Sequence, residues 1–336
     1  SEPIILIRDP MEDFALPMFI AMDPPRHDHQ RMAVNPAVGP QNLRNFEPII
    51  RERTAGVLDN LPLNEPFDWV PTVSIELTTR MLATLFNFPF EDRARLTYWS
   101  DVATTTPGLG EIETEEEMQQ ELLGCLEYFT GLWNQRVAEP PGNDFISMLC
   151  HGEATRDMSP QEYLGNLMLL IVGGNDTTRN TMSASTLALH ENPGEYAKLL
   201  ADPSLVPSMV AETIRLQTPL AYMRRTAKVD TELGGQQIRA GDKVVMWYVS
   251  GNRDERHFER PDDYIIDRAD VRSHLSFGFG IHRCMGNRLA ELQLRVLWEG
   301  ILERFDRVEV VGQPVRTRSN FVRGYTSLPV VVHPKR

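Results

Sequence analysis

Ser159-Pro160-Gln161-Glu162 combines a capping box with proline at the first helical position. No strong stop follows until Asn192-Pro193. The stretch between suits one helix of about 30 residues, roughly 45 Å long at 1.5 Å per residue. Its middle reads LMLLIVGGNDTTRN: an apolar run ends in Gly173-Gly174, then Asp176, Thr177 and Thr178 stand where a buried helix would carry aliphatic side chains. An acid followed by an alcohol beside two glycines can open the i→i−4 ladder, admit water and relay protons. The competing reading is helix packing through the glycines, with Asp176 at a surface turn.

Helical periodicity also covers NLRNFEPIIRERTAGVLDNL, SIELTTRMLATLF and EEEMQQELLGCLEYFTGLWNQRV, separated by breaks such as PPGND at 140–144. After Arg225 the texture changes. TAKVDTELGGQQIRAGDKVVMWYVS has short β-branched runs with Gly-Gly and Ala-Gly turns, which predicts a small antiparallel sheet, and NFVRGYTSLPVVVHP predicts a final hairpin. The expected fold is mainly α with a minor antiparallel β portion, mostly helical over 1–225 and mixed over 226–336, in a single domain.

Charge and cysteine usage exclude several function classes. A net charge of −13 over 336 residues argues against nucleic acid or an anionic membrane as partner, since both require a basic surface. Cys125, Cys150 and Cys284 lie far apart with no CxxC spacing, against a disulfide framework or zinc knuckle and in keeping with a reducing cytoplasm. No apolar run reaches the roughly 18 residues of a membrane span. The opening SEPIILIRDP has neither an initiator Met nor a signal-peptide pattern, as expected of a fragment.

Chemistry concentrates around Cys284, in Phe277-Gly278-Phe279-Gly280-Ile281-His282-Arg283-Cys284-Met285-Gly286, directly before the helical pattern NRLAELQLRVLWEGILERF. A helix N-terminus favours thiolate, and Gly278, Gly280 and Gly286 permit positive φ and close approach of a bulky group. One thiolate with free backbone donors suits an axial ligand for haem iron. Alternatives at this point are an inert buried cysteine and a dinucleotide loop, although Arg283 stands where the third glycine of GxGxxG belongs. A zinc or copper site from Cys284, His282 and His274 lacks a fourth ligand. Glu212 and Arg215 share a helix face at i,i+3, a spacing that usually marks a solvated ion pair. His27 and Arg31, at i,i+4 after Asp-Pro-Pro, suit a carboxylate or phosphate, or form an ordinary basic helix edge.

The order HxxxR, GGxDTT, ExxR, FGxGxHxCxG resembles that of the cytochrome P-450 haem-thiolate monooxygenases over essentially the whole chain. The resemblance implies a cytochrome P-450 fold lacking its N-terminal helix and most of its larger sheet before Ser1. It makes Cys284 the axial ligand of haem b, and puts His27, Arg31, Arg225, His274 and His282 at the propionates, with Phe277, Gly278 and Gly286 shaping the haem loop. Arg225 is preferred to Arg224 because the family pattern is R-x-A, here Arg225-Thr226-Ala227. Asp176 and Thr177 become the catalytic acid–alcohol pair, and Glu212 and Arg215 the structural pair. Asp263 falls where a third, basic partner is usual, and Arg268 is the candidate substitute. LPMFIAMDPPRHD, GGNDTTRNTMSASTLALHENP, PLAYMRRTA and SFGFGIHRCMGNRLAELQL look like the bacterial subfamily that hydroxylates medium-chain alkanes and fatty acids at the terminal carbon, using O2 and electrons from NAD(P)H through a reductase and an iron-sulfur ferredoxin. The matching apolar wall comprises Leu16, Met18, Phe19, Leu169, Val172, Gly173, Leu220 and Met223. Rival functions are hydroxylation of a terpene or steroid, and a haem-thiolate sensor or electron carrier.

Overall fold

A computed structural model describes residues 16–108 and 112–335, so the SEPIILIRDP start lies outside the described residues. The helices in chain order are α1 (Arg26–Val34), α2 (Pro40–Leu58), α3 (Glu76–Leu85), α4 (Ala94–Thr104), α5 (Glu115–Val137), α6 (Phe145–His151), α7 (Pro160–Glu191), α8 (Pro193–Ala201), α9 (Val206–Gln217), the single turn α10 (Tyr248–Gly251) and α11 (Asn287–Arg304). The strands are short: β1 (Phe67–Asp68), β2 (Met223–Thr226), β3 (Thr231–Leu233), β4 (Gln236–Ile238), β5 (Lys243–Met246), β6 (Phe305–Val310), β7 (Val315–Arg316), β8 (Tyr325–Ser327) and β9 (Pro329–Pro334). They pair antiparallel as β1-β9-β6, β2-β5, β3-β4 and β7-β8.

Local signals set the long helices. Ser159 accepts the Glu162 N–H at 3.2 Å to start α7, and Thr114 accepts that of Glu117 at 3.1 Å to start α5. α7 runs unbroken for 32 residues, so Gly173-Gly174 do not interrupt it and the expected opening of its ladder is absent. The Thr177 hydroxyl folds back onto the Gly173 carbonyl at 3.1 Å within this continuous helix.

Two apolar clusters lie along α7. Leu164, Leu167 and Ile171 pack with α4, α5 and α6 in one; Met182, Leu187 and Leu189 pack with α9 and the β6–β9 strands in the other. α11 feeds both, through Leu289 and Leu292 on one side and Leu297 and Trp298 on the other. Residues on either side of position 225 therefore share their packing.

The predicted terminal hairpin does not form. β8 pairs with β7 whereas β9 joins β6 and β1, because only Leu328 separates them, too short a link for a hairpin turn. Leu328 is fully buried, and its N–H donates to Asp68 at 3.0 Å, which carries the chain from one sheet into the next. No helix of the described residues is long and apolar enough to cross a membrane.

Candidate functional site

Cys284 closes a tight loop ahead of α11. Its N–H donates to the Phe277 carbonyl at 2.8 Å, and the backbone N–H groups of Gly286 and Asn287 point at its sulfur. Gly278 and Gly280 take φ of +67° and +75°, and a Cβ on Gly278 would press against the Tyr248 hydroxyl at 3.2 Å. Gly286 does not follow the expectation of positive φ: it caps α11 at −87°. Cys284 is exposed by surface area, yet burial is the largest influence on its thiol and raises the pKa above the ordinary value. The two agree for a group facing a recess inside the protein. The helix end, Arg31 and Arg283 pull the other way without prevailing, so the expected lowering by the helix end alone is corrected. Among the described residues no group of three or more His, Cys, Asp or Glu converges, which removes the zinc or copper alternative.

Four of the expected propionate contacts converge beside this loop. The His27 and His282 rings meet edge to face at 4.4 Å, and Arg31 donates to the Arg283 carbonyl at 2.5 Å. Burial, then the charges of Arg225, His27 and Arg31, push His282 down to about 4. The Arg225 charge is the largest of the charged influences on this ring. His27 Nε2 and His282 Nδ1 are buried without a hydrogen-bond partner in the described structure. Buried polar atoms left so are costly, and a carboxylate-bearing group would satisfy both while neutralising the arginines. The residues therefore fit a haem with its propionates at this edge. His274 stands apart: it packs on Phe277 at 5.3 Å, accepts the Ser276 N–H at 3.3 Å, and is lowered to about 4 by burial and then by Arg283, Arg215 and Arg272. No described contact joins it to the His27–His282 group.

Beneath the loop, Glu212 and Arg215 are both fully buried and joined by two bonds of 2.7 and 2.8 Å, not solvated. Arg268 is the third partner, 3.1 Å from Glu212. Asp263 contributes its carbonyl, which accepts from Arg215 at 3.1 Å and from Arg268 at 2.9 Å, while its carboxylate turns to Arg260. Sequence reasoning missed Asn252. Fully buried, it donates to Thr218 and Ser276, both at 2.8 Å, and accepts from the Leu275 N–H at 2.6 Å and, at its carbonyl, from Arg215 at 2.7 Å. It ties the pair to the entrance of the cysteine loop. Its setting, GNRD, reads only as a turn, so no local signal announces it.

On α7, Asp176 is buried rather than at a surface turn. Its carboxylate takes Arg179 at 2.8 Å, Ser100 at 3.1 Å and Thr104 at 3.2 Å, so it faces α4 and is not bonded to the Thr177 hydroxyl. Burial outweighs Arg179 and raises its pKa to about 6. Between about pH 4 and pH 6 the folded chain thus keeps a proton that the unfolded chain releases, so stability falls as pH rises through that window, by on the order of 3 kcal/mol. Asp176→Asn should remove this slope. Tm measured against pH for both proteins tests it, and parallel curves would mean an unshifted carboxyl.

The predicted apolar wall divides. Phe19 is core, only 3% exposed, and Leu16 and Leu169 pack partly against the same cluster. Met18, Val172, Leu220 and Met223 are half-buried and belong to neither cluster, and Gly173 is exposed. Leu220 also bridges to Val322, bringing a C-terminal segment to this side that periodicity did not suggest.

A lone sulfur addressed by backbone donors, two buried histidines with unpaired ring nitrogens at one edge and a buried acid–arginine brace behind fit the site of a haem-thiolate protein. Comparison with known proteins agrees. The cytochrome P-450 family model matches residues 112–329. The linalool 8-monooxygenase of Pseudomonas putida is 38% identical over 94% of this chain and 78% of its own. Among solved structures, CYP153D17 from Sphingomonas sp. PAMC 26605 has a TM-score of 0.89 at 53% identity, covering 98% of this chain and 82% of its own. The cytochrome P-450-153 from Novosphingobium aromaticivorans gives 0.88 at 52%, covering 97% and 80%. The chain belongs to the cytochrome P-450 family and is a monooxygenase of that family.

Proposed function

We propose that the protein hydroxylates the terminal carbon of medium-chain n-alkanes or fatty acids. The observation that carries this reading is the uncharged character of Met18, Leu169, Val172, Leu220 and Met223, which offer a substrate apolar contact and no ionic partner. Burying roughly eight methylene units at about 0.8 kcal/mol each contributes on the order of 6 kcal/mol before ordering costs. That holds a chain without setting its register. Secondary C–H bonds are weaker, so terminal selectivity has to come from shape, and a tenfold preference for the end needs about 1.4 kcal/mol beyond that bias.

Haem b, ligated by Cys284, would supply dioxygen activation when bound. His27, Arg31, Arg225 and His282 would hold its carboxylates, and the Glu212–Arg215–Arg268 brace keeps the cysteine loop in place. Thr177 offers a hydroxyl on the wall side of α7, and the Asp176 carboxyl, raised to about 6, takes up and releases a proton nearer to neutral pH than an ordinary carboxylate. Because Asp176 faces Ser100 and Thr104, it relays that proton by rotating toward Thr177 or through water. Electrons come from NAD(P)H by way of a reductase and an iron-sulfur ferredoxin in the cytoplasm. Exposed Phe279, Ile281 and Arg283 on the cysteine loop suit a small acidic partner.

Turnover of n-octane with a surrogate ferredoxin system tests the reading. Predominantly 1-octanol is expected, and mainly 2- and 3-octanols would overturn it. Val172→Phe or Leu220→Phe should alter the product positions several-fold, and an unchanged distribution would remove those residues from the wall. Likeness to the linalool 8-monooxygenase favours a second reading, an acyclic terpene alcohol as substrate. Faster, better-coupled oxidation of linalool than of n-octane would select it.

A further inference from the structure

The segment Leu16–Phe19 rests directly on α7. A Cβ at Gly165 would overlap the Pro17 carbonyl oxygen and lie 2.8 Å from its carbon, so only glycine admits the chain at this height. The next residue, Asn166, is fully buried, and its Oδ1 accepts the Phe19 N–H at 2.9 Å. Pro17 and Phe19 are thus held on adjacent residues of the helix, and Met18 between them is left half-buried and outside the core clusters.

Asn166 is itself tied down. Its Nδ2 donates to Gln30 Oε1 at 3.1 Å and meets Met158 Sδ at 3.2 Å. Gln30 donates to Glu162, which also takes Arg26 at 2.7 Å. Gln30 and Arg26 lie on α1, the helix that carries His27 and Arg31. One buried polar chain therefore links the loop, the start of α7 and the cationic helix. Gly165, Leu169, Val172 and Gly173 fall at i, i+4, i+7 and i+8, on one face of α7. The loop is seated one turn before the apolar wall, on the wall's own face.

We propose that Gly165 and Asn166 form a seat for Leu16–Phe19, and that Asn166 is a positioning residue that acts through Met18 to set which carbon of a bound chain is oxidised. The proposal rests on the apolar-wall reading above and is independent of whether the favoured carbon is terminal. A carbonyl packed against glycine and an amide hydrogen bond fix the loop's height and rotation together. Losing either lets Met18 move relative to Leu169 and Val172.

The test uses the haem-loaded full chain with Asn166→Ala and Gly165→Ala, one removing an acceptor and the other inserting a methyl group. Hydrogen exchange of the peptide containing the Phe19 amide should quicken at least tenfold in both. The ferrous–CO band should stay in place, and the ratio of product positions from n-octane or linalool, whichever the wild type oxidises, should change at least fivefold. Unchanged exchange would overturn the seat, and fast exchange with an unchanged product ratio would overturn its role in selectivity. Met18→Ala and Met18→Phe leave the seat intact and keep the test decisive if the α7 variants do not fold. An unaltered product ratio in both would overturn the proposal. Wild-type oxidation away from the chain end would overturn the terminal reading alone, since the seat is judged by the difference between wild type and variant.

Discussion

Cys284→Ala is expected to abolish the thiolate-type ferrous–CO band entirely, while Cys125→Ala and Cys150→Ala retain it. Only Cys284 has its sulfur addressed by backbone donors at a helix end, from Gly286 and Asn287, with the cations of Arg31 and Arg283 close by. Cys125 is fully enclosed on α5, and Cys150 is buried on α6, its thiol donating to the Ser147 carbonyl. Burial raises the Cys284 thiol against the pull of the helix end, and an iron bound at the sulfur would favour its thiolate. The CO difference spectrum of each variant decides the matter. A normal band in Cys284→Ala would mean that the axial ligand lies elsewhere.

Arg215→Leu is expected to yield little or no haem-loaded folded protein. Arg215 makes two buried bonds to Glu212 and a buried bond to the Asn252 carbonyl, and donates to the carbonyls of Pro261 and Asp263 at the edge of the core. Removing one partner of a buried pair costs about 3–5 kcal/mol, against a total stability of about 5–15 kcal/mol for a domain. Arg268 still faces Glu212 and still donates to the Asp263 carbonyl in the variant, which moderates the lost charge pairing but leaves the Asn252 and Pro261 carbonyls without the Arg215 donor. The damage should pass through Asn252 to Leu275 and Ser276 and so to the cysteine loop. Arg256→Ala, at an exposed pair with Asp254, should leave Tm unchanged and serves as the contrast. Thermal unfolding and haem content of the purified proteins measure both. A Tm for Arg215→Leu close to that of the wild type would show that the brace is dispensable.

The two variants illustrate how unequally the site could be read from the chain. Cys284 announces itself, because its glycines, its histidine and the following helix lie within a few residues. Glu212 and Arg215 do not, since i,i+3 spacing is the same for a surface pair such as Arg260–Asp263 as for a pair sealed in the core. Arg268 was visible only as a candidate, and the part played by the Asp263 carbonyl could not be inferred from a side chain of the wrong sign. Asp176 gave an acid at an apolar position without saying which way it would turn. Its direction follows from Ser100 and Thr104, which α4 brings against α7.

Local interactions carried the rest of what could be read. α5 spans Glu115–Val137, as its periodicity implied, and α7 starts at its capping box and ends before Asn192-Pro193. Caps, prolines and the 3.6-residue period act within a turn or two, so the chain by itself determines them. The terminal hairpin failed because a single residue cannot turn β8 onto β9, and β9 instead takes a partner as distant as Phe67 on β1. The chain alone sufficed for the long helices such as α5, α7 and α11, the cysteine loop and the class of chemistry, while α4, α6 and α8 were not read from it. Tertiary structure alone decided that His27 meets His282, that Glu212 is sealed, and that Leu16–Phe19 lies across Gly165. Each of these is a contact between remote segments, and its energy appears only when packing removes water from both sides at once.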